Sequence, residues 1–353
     1  MKYLERMKTK YEMLRNKKDV VIVSIESSCD ETSVAIVKNG REVLSNIIAT
    51  QIEIHRRFGG VVPEVASRNH ITAISNIFKE ALMQANIKKE EIDAVAVTYG
   101  AGLMGALLVG VNFAKSLAYS LDVPLIAVSH VHGHIAANYI SHPSLEPPFI
   151  CLMVSGGHTA ILKIEDYNKM TMLGSTVDDA VGEAFDKVAR VLGLPYPGGP
   201  EIDKLAKEGE NEYKFTVSNS LKNTYNFSFS GIKTEVVNLV HNASQKGQEI
   251  NKANIACSFQ ECVTAELSSK AIRACIENGL KKLVVAGGVG ANSRLKEKLA
   301  KLCKEQGIEF FAPVLKFCTD NAAMIGSEAY YLLKDGLGLA ELSLTAKPNV
   351  ELK

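Results

Sequence analysis

The chain has 353 residues, 46% of them apolar, which suits two domains with sizeable cores better than one. Its net charge of +1 excludes nucleic-acid binding through global charge, so any such contact must come from a local patch or a partner. Seven scattered cysteines, odd in number and never spaced C-x-x-C, argue against a disulfide framework and a cysteine zinc site and point to a reducing compartment.

The opening MKYLERMKTKYEMLRNKK is basic and lacks the apolar stretch of a secretory signal. It also carries Glu5 and Glu12, where a transit peptide would be poor in acids. Residues 1–19 are therefore expected to form an exposed helical or disordered extension. No apolar run approaches the ~18 residues of a membrane span, so no membrane contact is expected and the chain is placed in the cytoplasm. A first lobe, 20–148, opens with the β-rich run VVIVSIE, Val20 to Glu26, followed by the polar turn SSCDETS. Val34 to Lys38 predicts a second strand, Asn39-Gly40 a hairpin turn and Glu42 to Ile48 a third strand. EEIDAVAVTYGAGLMGALLVG, Glu90 to Gly110, reads as strand, glycine-rich turn and helix.

A second lobe, 149–336, says the same thing again. FICLMVS, TAILKI and MTMLGS form another three-stranded meander, with GGH and EDYNK as its turns. KKLVVAGGVGANSRLKEKL, Lys281 to Leu299, repeats the order strand, glycine loop, helix. An Asn/Ser-rich segment at about 209–254 reads as an insertion, and 337–353 as a tail. A duplicated α/β unit predicts two similar lobes with a cleft between them. Four glycine-bearing turns, near Ser28, Gly102, Gly156 and Gly288, could bring backbone N–H groups to a nucleotide. Each could also be a plain tight turn. None fits a P-loop, and a Rossmann fingerprint fits poorly.

VPLIAVSH predicts a buried strand ending at Ser129, and HIAANYI a helix that Ser129 would cap. Residues four apart on a helix lie about 40° apart around its axis, and residues two apart about 200°. His130 and His134 then share a face and His132 points away. Two imidazoles on adjacent turns can hold one divalent ion, although an isolated pair is more often a surface cap. FCTDNAAMIG, Phe317 to Gly326, predicts a helix with Asp320 in its first turn, where a carboxylate could be a cap or a third ligand. His₂Asp would leave coordination positions open, which suits iron or zinc acting on a bound substrate. A zincin protease needs H-E-x-x-H, and Val131 stands where the glutamate should be.

The motifs ESSCDET, PEVASR, HVHGH, LMVSGGHT, DDAVGEAFDKVARVLGLPYPGGP, FSFSGIKT, GGVGAN and TDNAAMIG together resemble the bacterial TsaD family from about Val20 to Gly336. These are tRNA N6-adenosine threonylcarbamoyltransferases, once labelled O-sialoglycoprotein endopeptidases. The resemblance implies an actin-like fold of two RNase-H-like lobes. It implies acyl transfer from threonylcarbamoyl-AMP to N6 of the adenosine beside the anticodon, position 37, in tRNAs reading codons that start with A. His130, His134 and Asp320 would hold a divalent metal and serve catalysis, iron being the family's first choice and zinc the second. Met153, Val154, Ser155, Gly156 and Gly157 would contact the adenylate or the transferred group. Asp186 would bind ribose or substrate hydroxyls, and Gly199 and Asn292 would flank the adenosine. Expected partners are tRNA, an inactive paralogue of the same fold, met through the helix at about 62–86, and a small P-loop ATPase.

An exocyclic adenine amine is a poor nucleophile, so the acyl donor must be activated and its oxygen polarised. A metal can act as Lewis acid or template, and the N–H groups of Ser155 to Gly157 could meet the developing charge. Simpler structural roles exist for several of these residues: an exposed helix-face carboxylate for Asp186 and a helix N-cap for Asn292. Glu26 and Asp30 could hold Mg²⁺ if ATP is also cleaved, but they read more simply as solvated turn carboxylates. His158 could support an oxyanion from a second layer. Two rival functions are an actin-like ATPase or sugar kinase, which has no use for the histidine pair, and an inactive scaffolding paralogue, which would be expected to have lost it.

Overall fold

The computed structural model describes residues 3–217 and 219–350. These fall into two compact units, Met1–Leu145 with Thr319–Leu352, and Glu146–Cys318. Residues 319–336, grouped by sequence with the second lobe, thus pack with the first.

In the first unit the meander is β1 (Val21–Glu26), β2 (Glu31–Lys38) and β3 (Glu42–Thr50), all antiparallel neighbours. Asn39 and Gly40 both take left-handed φ, 52° and 72°, as the tight turn between β2 and β3 requires. A short α2 (Ile52–Arg56) and a long α3 (Pro63–Ala85) follow. β4 (Ala94–Gly100) then pairs parallel to β1, and α4 (Met104–Leu121) leads to β5 (Leu125–Ser129), parallel to β4. α5 (His130–Ser141) starts directly at the end of β5. The chain returns as α11 (Ala322–Lys334) and β11 (Leu339–Ala340), which adds antiparallel to β5. Val23, Ile25, Ile36, Val95 and Val111 share one apolar core.

The second unit repeats this plan. β6 (Phe149–Val154), β7 (Thr159–Asp166) and β8 (Lys169–Ser175) form the meander, β9 (Lys282–Ala286) lies parallel to β6, and β10 (Glu309–Phe311) parallel to β9. Its strand order, β10-β9-β6-β7-β8, matches β5-β4-β1-β2-β3 of the first unit. The duplication read from sequence is therefore a duplication of topology, and the fold is the actin-like, α/β one. Helices α6 (Val181–Val191), α7 (Gly198–Ala206), α8 (Ser230–Gln245), α9 (Lys252–Glu277) and α10 (Ser293–Gln306) complete it, around a core that includes Phe185, Phe229, Phe259 and Leu283. The predicted insertion contains α8, which is itself packed through Ile232 and Val236.

Two expectations need correction. Residues Tyr3–Arg15 form a helix, α1, but it is docked rather than loose. Met7 and Tyr11 are buried, the Tyr11 hydroxyl donates to the Leu337 carbonyl, and Arg6 and Lys10 pair with Asp122. An apolar helix of 18 residues does exist: α4 is long and apolar enough to cross a membrane by length and composition. Ala106, Leu107, Val111 and Ala114 of that helix are buried in the first unit.

Candidate metal centre

His130 and His134 stand on adjacent turns of α5, as a four-residue spacing dictates. Ser129 occupies the N-cap position, yet its side chain makes no capping hydrogen bond. Asp320 does not lie in a helical turn. Asn321 is the N-cap of α11, accepting from the Met324 amide, and Asp320 precedes it. The start of α11 is pinned to the first sheet. The Ser24 hydroxyl donates to the Ala322 carbonyl at 2.6 Å, and the Ala322 and Ala323 amides donate to Ser33 Oγ and Asn46 Oδ1. Gly133 lets α11 come close: a Cβ there would sit 2.7 Å from Ile325 Cδ1.

The result is convergence. Nε2 of His130 lies 3.4 Å from Asp320 Oδ1 and Nε2 of His134 lies 3.3 Å from the same oxygen. Ligand atoms of the three residues all fall within 4.8 Å of one another. Ligands about 2.1 Å from a tetrahedral ion sit ~3.4 Å apart, so the trio fits one ion with little adjustment. His132 is turned away, with Nδ1 3.6 Å from the buried Glu328 carboxylate.

The second unit gathers its own candidates at the ends of β6 and β9. The Ser155 amide donates to the His158 carbonyl at 2.8 Å and the His158 amide to Ser155 Oγ at 3.1 Å, which closes the turn. Gly156 and Gly157 are exposed at its tip, and a Cβ on either would meet nothing within 4 Å. Gly182 and Gly287 pack against the same turn. A Cβ on Gly182 would lie 2.8 Å from Gly156 Cα, and one on Gly287 2.5 Å from the Val154 carbonyl oxygen. Asp186 Oδ1 accepts from the Gly198 amide at 2.7 Å, which holds the start of α7 beside α6. Gly199 follows with open space above its Cα.

A family model described as TsaD, tRNA N6-adenosine threonylcarbamoyltransferase, matches residues 42–327. The chain belongs to the TsaD family. It is 56% identical over 333 residues to the "tRNA N6-adenosine threonylcarbamoyltransferase" of Clostridium perfringens (strain ATCC 13124), covering 94% of this chain and 98% of that one. It is 55% identical over 337 residues to the enzyme of the same name from Clostridium botulinum (strain Kyoto), covering 95% and 99%. Among solved structures, full-length HypF aligns with a TM-score of 0.61 at 17% identity, over 90% of this chain and 46% of HypF. Component A of the (R)-2-hydroxyglutaryl-CoA dehydratase of Acidaminococcus fermentans aligns with a TM-score of 0.53 at 17% identity, over 90% and 98%. The last two likenesses concern the fold alone.

Several residues that the TsaD resemblance singles out have other engagements. Met153 and Val154 are strand residues with no exposed surface, paired to Ala160 and Thr159 of β7. The Ser155 amide is committed to His158, so Gly156 and Gly157 are the turn's remaining backbone donors toward a ligand. Asn292 is the N-cap of α10, accepting from the Leu295 amide, while its Nδ2 donates to Gln260 Oε1 at 2.7 Å. Glu26 and Asp30 are not solvated turn carboxylates: they are 0% and 6% exposed. β1 is buried along almost its whole length, so the near-continuous apolar run could have flagged Glu26 at its end as buried, but nothing local says what it faces.

The electrostatics of the TsaD-type trio favour a cation. Burial works against a charged His130, yet the carboxylates of Asp320 and Glu26 raise its pKa to about 9. Burial works against ionised Asp320 as well, yet His130 and His134 lower it to about 2. Burial, then the charges of Asp320 and Asp30, push Glu31 up to about 10, so it is a neutral acid at pH 7. This is a carboxyl-rich pocket that holds protons where a metal would serve.

A pH dependence follows. In the metal-free protein, the stabilisation from protonated His130 is complete below its ordinary value of about 6.5 and is lost as pH rises through about 9. A metal-bound imidazole must be neutral, so below about pH 9 binding must expel that proton. Zn²⁺ affinity should rise roughly tenfold per pH unit between pH 6.5 and 8.5, with about one proton released by His130 per ion. Chelator-competition titrations, with calorimetry in buffers of different ionisation enthalpy, read both quantities.

Proposed function

We propose that the chain transfers the threonylcarbamoyl group from threonylcarbamoyl-AMP to N6 of the adenosine beside the anticodon, position 37, in tRNAs that read codons starting with A. The observation that carries this reading is the convergence of His130, His134 and Asp320 in a chain 55–56% identical to proteins that bear the name of this activity. Those three residues hold one divalent metal, Fe²⁺ before Zn²⁺. When bound, the metal supplies Lewis acidity and a template for the acyl donor.

The protein's own residues do the rest. Gly156 and Gly157 present backbone N–H groups where no side chain obstructs, suited to an oxygen that gains charge as the carbamoyl carbon becomes tetrahedral. The N6 lone pair forms the new bond to the carbamoyl carbon, AMP leaves with the electrons of the acyl–phosphate bond, and the proton lost from N6 passes to solvent. Asp186 holds the Gly198–Gly199 segment in place and offers a carboxylate to ribose or substrate hydroxyls. Asn292 and its Gln260 contact shape the loop beside the adenosine, and Met153, Val154 and Ser155 act as the frame of the glycine turn.

Substrate tRNA meets a chain of near-zero net charge, so we place part of its binding on an inactive paralogue and a small P-loop ATPase, all in the cytoplasm. ATP with Mg²⁺ is a further ligand of the assembly. The kinase and scaffold alternatives are disfavoured because neither needs the metal trio. The decisive experiment is mass spectrometry of nucleosides from tRNA incubated with this protein, those partners, ATP and threonylcarbamoyl-AMP, the last supplied directly or by a separate enzyme that makes it from threonine, bicarbonate and ATP. Threonylcarbamoyladenosine should appear only in the complete mixture, and its absence would overturn the reading.

A further inference from the structure

We infer that Glu26 is the positioning residue of the metal centre: its carboxylate fixes the His130 ring with the proton on Nδ1, so that the Nε2 lone pair faces Asp320 and His134. The inference rests on the metal reading above and extends it to a residue outside the trio.

Glu26 ends β1 and has no exposed surface. A carboxylate without water is costly unless its oxygens are hydrogen-bonded, and here they are. Oε1 accepts from the Ser28 amide at 2.6 Å, and Oε2 accepts from the Thr98 hydroxyl at 2.5 Å. His130 Nδ1 lies 3.2 Å from the same Oε2. An ionised carboxylate only accepts hydrogen bonds, so the ring nitrogen facing it must carry the proton. The neutral ring then has its lone pair on Nε2, the atom 3.4 Å from Asp320 Oδ1. Ser28 Oγ, 3.1 Å from His130 Nδ1, is compatible with this because a hydroxyl can also accept. No equivalent exists for the second imidazole: His134 Nδ1 is buried with no partner among the described residues. Among the described residues outside the trio, Glu26 is thus the carboxylate that orients a ligand of this site, a recurrent arrangement around protein-bound metals.

Glu26→Gln keeps size and removes this logic. If the amide oxygen keeps the Ser28 amide, its NH₂ faces His130 Nδ1 and drives the ring proton to Nε2, where it blocks the metal. If the amide flips, its NH₂ opposes the Ser28 N–H. The first arrangement inverts the tautomer, and the second sets two donors against each other at Ser28.

The test uses the full chain, Zn²⁺ as probe, and ¹⁵N spectra of the imidazoles. In zinc-loaded wild-type protein His130 should be bound through Nε2, with a slowly exchanging proton on Nδ1. In Glu26→Gln, Zn²⁺ affinity should fall about 10- to 100-fold, and the metal-free ring, compared in both proteins above about pH 9 where it is neutral, should shift toward the Nε2–H form. A merely structural role for Glu26 would leave the tautomer unmoved. Zinc bound through Nδ1 in the wild-type protein overturns the inference, whether or not the variant folds. So does a folded Glu26→Gln protein with unchanged affinity and tautomer. If the wild-type protein binds no Zn²⁺ at all, the metal reading fails instead, and Glu26 is not the cause.

Discussion

His130→Ala and Asp320→Ala should each lose bound metal and tRNA threonylcarbamoylation together, with unchanged far-UV circular dichroism. Each removes one of three ligands that meet around a single point. Loss of an outer-layer partner already costs about 10- to 100-fold in metal affinity or activity, so loss of a ligand should exceed about 100-fold in both. The fold should survive because neither side chain belongs to the apolar cores and β5, α5 and α11 keep their packing. His132→Ala is the control. It sits between the two ligands in sequence but faces Glu328, so metal content and turnover should stay near wild type. Metal analysis of purified protein and nucleoside mass spectrometry decide the matter. Full transfer by metal-free His130→Ala would sink the metal-centred mechanism while leaving the family membership untouched.

Gly287→Ala should be strongly damaging for a single-methyl change. Gly287 has φ +93°, a conformation that costs an L-residue about 1–3 kcal/mol. Its Cβ would also lie 2.5 Å from the Val154 carbonyl oxygen and 2.8 Å from the carbonyl carbon, backbone atoms that cannot rotate away. The expected loss is on the order of 3 kcal/mol in stability, with displacement of the Ser155–His158 turn and a large drop in turnover. Gly288→Ala, next along the chain, puts its methyl into open space and should cost little. Denaturant midpoints of the two variants, read beside their activities, separate backbone strain from general intolerance of the loop. Equal, small effects would mean that β9 and its loop relax freely, contrary to the close approach described.

Both sites were only half visible in the sequence. The helical repeat alone separates His130 and His134 from His132, because side-chain direction on a helix is fixed by spacing. The same holds for the two meanders and for the Asn39-Gly40 turn, where local φ preference decides the conformation. Duplication was legible because each half repeats the same order of local elements. FCTDNAAMIG suggests Asp320 as a third ligand and the family resemblance supports it, but Asp320 lies just before the helix rather than in its first turn. Asn321 captures the helix start one residue later, since its side chain can reach the Met324 amide.

The sequence by itself determined the local elements, the duplicated order and the pair of imidazoles, because all of these depend on neighbours a few residues away. Only the tertiary structure decided the buried state of Glu26, the docking of α1, and the burial of Met153 and Val154. These follow from which strand or helix lies alongside, and that partner comes from far along the chain. Glu26 shows the reason most plainly. In ESSCDET it looks like one more polar turn residue, yet β4 brings Thr98 to one of its oxygens and the start of α5 brings His130 to the same oxygen. A carboxylate's role depends on the groups that replace its water, and a linear pattern does not contain them.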